Sequence, residues 1–165
     1  MTVHSILIYF FPVFILMIFF EYLAGKRKGV DLYTKGQTIA SLVIGVGQQA
    51  ITLLGLGVVV SVTMAFAWEN RLFDISVSSW WYIPALFFAH EFFYYWYHRL
   101  SHEIRWLWAT HSVHHSTEEY NVLAAYRFGW TGWLSAGRLV FVPMIFLGFE
   151  PTVVALSTGF NLMYQ

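Results

Sequence analysis

The stretch "WWYIPALFFAHEFFYYWYHRLSHE", residues 80–103, decides how this chain reads. Residues 80–97 form an apolar and aromatic run broken by His90 and Glu91, and the run passes straight into His98, Arg99 and His102. A run of that length suits a helix reaching through hydrocarbon, and its charged end suits emergence from it. His98 and His102 are four residues apart, so a helix sets them on one face, one turn above the other. Glu91 lies seven residues before His98 and returns to nearly the same angle, while His90 is turned away from that stripe.

The next residues repeat the theme. In "WATHSVHHSTEEYN", residues 108–121, His111, His114 and His115 stand at i, i+3 and i+4 and share a face if the segment is helical. Two such faces brought together offer five neutral imidazoles to one point. Imidazole binds zinc, copper, iron and nickel, and the chain has no cysteine to add a thiolate. Near hydrocarbon each ring must stay uncharged and find a partner for its nitrogens. A shared metal centre at His98, His102, His111, His114 and His115 is therefore expected. Glu91 is expected to partner a ligating histidine, with an ion pair to Arg99 as the alternative. His4 and His90 are read as interfacial polar residues, and Tyr94, Tyr95, Trp96 and Trp106 as interfacial anchors before substrate contacts.

Composition supports a chain that meets lipid. Of its 165 residues, 58% are hydrophobic, 21% aromatic and only 11% charged. A soluble domain carries about 25% charged residues. The formal net charge of +0 gives nucleic acid nothing to bind, so no nucleic-acid partner is expected. Apolar segments are expected at about residues 5–25, 39–68, 80–97 and 134–165, the last as a hairpin broken near "GFEP", residues 148–151. The first run is read as retained rather than as a signal peptide, because its positive charges, Lys26 to Lys28, follow it. Gly45, Gly47, Gly55 and Gly57 in the second run permit close packing. Basic residues after the first run and at the end of the third both place those ends in the cytoplasm. The expected fold is an all-α integral membrane bundle with a cytosolic, histidine-rich helical cap. It forms one domain over residues 1–165, with the histidine boxes inside about 90–121.

The two quoted motifs resemble the histidine boxes of the fatty acid hydroxylase / sterol desaturase superfamily. "EFFYYWYHRLSHE" is similar to its acidic residue, aromatic run and HR-x-x-H box, and "WATHSVHHSTEEYN" to its H-x-x-HH box followed by Ser and Asn. The second context is most similar to the sterol-desaturase-like and alkylglycerol monooxygenase branch. The resemblance implies a di-iron centre that uses O₂ and an external electron donor, a protein or other reductant, to oxidise a C–H bond of a bilayer lipid. It implies His98 and His102 as ligands from the first box, and His111, His114 and His115 from the second. Glu91 stands where the family commonly has Asp, and Asn121 matches an Asn of the motif. The family carries a third histidine box, whereas no histidine follows His115 here. The chain is accordingly expected to be the N-terminal portion of a longer protein, or a truncated product inactive by itself. Two further classes share the same residues: a membrane zinc hydrolase with Glu91 as base, which lacks an H-E-x-x-H arrangement, and a non-enzymatic haem or metal-binding protein.

Overall fold

The apolar runs fold as helices in the computed structural model, which describes residues 3–52, 58–135 and 137–164. Helix α1 (Val3–Arg27) carries the first run and closes on Lys26 and Arg27, cations that suit the negative end of the helix dipole. The second run holds α2 (Lys35–Ile51) and α3 (Val58–Glu69). Gly55 and Gly57 lie outside the described residues, as does the side chain of His4. Helix α4 (Tyr82–Glu103) is 22 residues long, about 33 Å. It is followed by α5 (Arg105–His111), α6 (Val142–Leu147) and α7 (Pro151–Tyr164). The described residues form no strand, so the fold is all-α.

Two breaks shape the molecule. Ile104 takes an extended conformation (φ −98°, ψ 116°) while its N–H still bonds Leu100 O, and this single residue lets α5 pack back against α4. Between α6 and α7, Gly148 adopts φ +112°, and a Cβ there would lie 2.2 Å from Phe73 O. Glu150 then caps α7, its carboxylate accepting from Thr152 N (3.1 Å) and Val153 N (2.9 Å), with Pro151 at the first helical position. Gly148→Ala is expected to destabilise the fold by about 1–3 kcal/mol from backbone strain alone, with the clash adding to it. Gly159 of α7, whose Cβ would meet nothing within 4 Å, should instead gain about 0.5–1 kcal/mol as alanine. Unfolding midpoints of the two variants in detergent check both signs.

The core is Ala67 of α3, Tyr82 and Leu86 of α4, Phe141, Met144 and Ile145 around α6, then Phe149 and Val154. Tyr82 is fully buried, and its hydroxyl accepts the N–H of Glu150 at 3.1 Å. The core thus grips the first turns of α4 and leaves its far end, with His98 and His102, to another cluster. Large apolar side chains face outward elsewhere, including Phe20, Val46, Val62, Phe66, Phe88 and Phe92. Patches of this kind mark contact with lipid or protein. Among the described residues no helix is long and apolar enough to cross a membrane. Helices α2 and α3 are short, and α4 interrupts its apolar run with His90 and Glu91.

Candidate metal centre

The i,i+4 spacing on α4 stacks His98 over His102, with ring centroids 4.9 Å apart and Nε2 atoms 3.1 Å apart. The second group is not one helix. His111 is the last residue of α5, and His114 and His115 sit in a separate 3-10 turn, His114–Ser116. The turn nevertheless returns His115 to His111, again with Nε2 atoms 3.1 Å apart. The pairs then meet: His98 to His111 and His102 to His115 are each 4.7 Å between centroids. One nitrogen from each of these four rings lies within 4.8 Å of the other three, and no other such group of metal-binding side chains occurs among the described residues. His114 stands beside the tetrad, its ring stacked parallel to Phe128.

Four imidazoles so close repel protons. Burial, then the other imidazoles, hold His98 and His111 below the usual histidine range, His111 at about 3. Burial first, then His115, lowers His114; burial, then His102, lowers His115. Neutral rings present lone pairs, the state a metal requires. Two nitrogens bound to one ion at about 2.0–2.1 Å would stand about 3 Å apart, as each observed pair does. His114 Nδ1 is buried short of full hydrogen-bond geometry, with the Arg127 backbone as the neighbour that favours its protonated form. The residues present therefore fit a divalent transition metal.

This predicts a pH dependence. In the metal-free protein His111 binds a proton only near pH 3, whereas unfolded it does so near its ordinary value of 6.5. Between those values the unfolded state binds more protons, so stability falls as pH drops from 6.5 toward 3 and is full above 6.5. Acid should likewise release bound metal. Denaturant midpoints across this range, with and without metal, check the slope; a flat profile would contradict it.

The segment after the second pair is bolted to α1 and α2. Arg127, 2% exposed, donates from Nε to Ser41 Oγ (2.8 Å), from Nη2 to Gln37 O (2.9 Å) and Oε1 (2.6 Å), and from Nη1 to Ser116 Oγ (3.4 Å). Asn121 donates to Leu32 O and accepts from Ala124 N at 2.9 Å, capping the turn Val122–Tyr126. Glu21 of α1 accepts from Val122 N (2.8 Å) and from the Tyr33 hydroxyl. Trp130 lies over Gly47, where a Cβ would come within 2.5 Å of its ring, and donates to Ile44 O at 2.9 Å. So Gly47 serves close approach of an indole from beyond the second histidine group.

The other expected residues fall as follows. Glu91 Oε1 accepts from Asn161 Nδ2 of α7 at 2.7 Å, and Arg99 pairs with Glu103 at 3.0 Å and with the Tyr95 hydroxyl rather than with Glu91. His90 is fully buried, 3.2 Å from Thr158 Oγ1 and stacked on Phe141. Tyr94 places its hydroxyl 3.1 Å from His98 Nδ1, which fixes the ring so that Nε2 faces the tetrad. Trp106 donates to Leu134 O (3.3 Å), and Arg99 lies over the Trp96 ring. Sequence reasoning missed Arg127, Glu21 and Asn161 as positioning groups. The available signal was a polar residue inside an apolar stretch, where it must have a partner.

A family profile described as "Fatty acid hydroxylase" matches residues 83–165. The chain is 32% identical over 160 residues to an alkylglycerol monooxygenase of Xenopus tropicalis, covering 92% of this chain and 33% of the relative. It is 34% identical over 156 residues to that of Danio rerio, covering 93% and 34%. It is 39% identical over 106 residues to that of Homo sapiens, covering 61% and 22%. The chain thus spans about a third or less of the length of these relatives. No solved structure matches it.

Proposed function

Because this chain belongs to the fatty acid hydroxylase family, we propose that it supplies two histidine groups of a membrane-bound, iron-dependent oxygenase acting on a lipid C–H bond. The observation that carries the reading is the tetrad of His98, His102, His111 and His115, four imidazoles from α4, α5 and the following 3-10 turn at one point. His114 joins them as the adjoining nitrogen donor. The names of the relatives point to alkylglycerol-type lipids as the substrate class.

An aliphatic C–H bond offers side chains no acid, base or leaving group, so bound iron with O₂ and external electrons supplies the oxidation. The chain's residues position that chemistry. Tyr94 orients His98, Trp108 lies against His102 and His115, and Arg127 holds the second histidine turn to α2 through Ser116. The outward apolar side chains of α1 to α4 suit a bilayer, and Lys26, Arg27 and Lys28 support a cytoplasmic histidine face by the positive-inside tendency. Metal analysis of the purified full-length protein, together with a lipid oxidation assay under reducing conditions, tests the reading. Iron with O₂-dependent product is expected; zinc alone with no such product would overturn it. Tyr94→Phe is expected to weaken metal binding or activity by about 10–100-fold, as loss of a ligand's outer partner does, and metal titration reads it.

A further inference from the structure

The turn that ends α1 is tightly closed and basic. Gly29 takes φ +69°, Val30 N–H bonds Gly25 O at 2.9 Å and Gly29 N–H bonds Lys26 O at 3.2 Å, the paired closure of a Schellman motif. The chain folds back so closely that a Cβ on Gly25 would lie 3.0 Å from Val30 O. This fixed turn carries Lys26, Arg27 and Lys28, all exposed, and Lys35 follows at the start of α2. Among the described residues the ion pairs lie elsewhere, and none includes one of these four cations. Lys26 lies over the Tyr22 ring, 5.6 Å from its centroid, a contact that leaves its charge uncancelled. The nearby carboxylates are accounted for. Glu21 accepts from the Tyr33 hydroxyl and Val122 N, and Glu119 docks on Thr34 N at 3.2 Å, beside Lys35. The excess positive charge therefore belongs to Lys26, Arg27 and Lys28, with Asp31 as the carboxylate of the same turn.

The helix dipole accounts for cations in the last turn of α1, and topology asks only that they lie on one side of a bilayer. The surroundings ask for more. Phe19 and Phe20 of α1, Val30 of the turn, and Ile39, Leu42 and Val43 of α2 all face outward, so exposed carbon flanks the cations on both sides in the chain. Cations set between apolar side chains fit an amphiphile, with an anionic headgroup on the ammonium and guanidinium groups and its acyl chains along the carbon. A small soluble anion would leave that carbon uncovered. We infer that the turn binds the headgroup of an anionic phospholipid, as a resident lipid and not as the molecule oxidised. Asn121 and Glu119 grip the same turn through Leu32 O and Thr34 N, which ties the headgroup site to the segment after the second histidine group. The inference goes beyond the oxygenase reading and shares only its bilayer.

Binding tests it without turnover. Full-length protein in a nonionic detergent is titrated with dioctanoyl phosphatidylglycerol and with dioctanoyl phosphatidylcholine, equal in chains and different in charge, and thermophoresis reads the affinities. Each basic residue near a lipid surface is worth about fivefold, so the anionic lipid should bind about tenfold or more tightly. The preference should shrink at about 0.5 M salt. Lys26→Gln, Arg27→Gln and Lys28→Gln together should bring the two lipids within about twofold of each other with the helical signal unchanged. Arg27→Gln with Lys28→Gln, which keeps Lys26 on Tyr22, should lose most of the preference, and Lys26→Arg with Lys28→Arg should keep it. Equal binding of the two lipids by the unaltered protein would overturn the proposal, as would a preference that survives both sets of Gln replacements. So would displacement of the lipid by equimolar inorganic phosphate, the mark of a simple anion site, or by polyglutamate, the mark of a site for an acidic protein segment. Iron-free protein without oxidation product would sink the oxygenase reading and leave this binding result intact.

Discussion

Replacing His111 with alanine is expected to weaken metal binding by the full-length protein by more than about 100-fold and to abolish lipid oxidation. Losing only an outer partner of a ligand costs about 10–100-fold, so losing a ligand costs more. His111, like His102, is central among the four rings: each has its centroid within 4.7–4.9 Å of the other three. Removing His111 deletes a donor and a ring that spaces the other three. His90→Gln, at a histidine held by Thr158 and Phe141 outside the tetrad, should retain the metal. Equilibrium metal titration and elemental analysis of the two proteins check the pair; full metal in His111→Ala would contradict the assignment.

The second large effect is expected at Arg127. Its buried guanidinium donates to the carbonyl and amide oxygens of Gln37 and to Ser41 and Ser116. Arg127→Leu leaves the buried Ser41 hydroxyl and the half-buried Gln37 oxygens without this donor, the buried one at about 1–3 kcal/mol, so a loss of about 2 kcal/mol or more is expected. The effect should reach the metal, because Ser116 directly follows His115 and the freed turn no longer holds His111 and His115 together. Arg127→Lys keeps the charge without the planar fork and should recover only part of the loss. Thermal midpoints and metal affinity of the two variants measure this. A variant that loses stability and binds metal normally would confine Arg127 to the fold.

Much of the site was legible because helical spacing is a local property. The i,i+4 interval of His98 and His102 fixes their shared face wherever α4 lies. The second group comes together for a different reason from a shared helical face. His111 and His115 meet although the helix ends at His111, since a tight turn closes the same interval. That turn also swings His114 onto Phe128, which spacing on an unbroken helix does not foresee. The contacts that hold the two groups together were illegible, because they join residues far apart in the chain. Arg127 finds Gln37, Asn121 finds Leu32, Glu21 finds Val122 and Asn161 finds Glu91 only in three dimensions. Arg127 and the carboxylate of Glu21 inside the first run were passed over, although each is costly without a partner there.

The most direct measurement is an anomalous-difference density map of the full-length protein recorded at the iron absorption edge. The account predicts a peak at coordination distance from at least one ring nitrogen of the His98–His102 pair and one of the His111–His115 pair. A peak bound to one pair alone, or both pairs hydrogen-bonded within themselves with no peak between them, would contradict it.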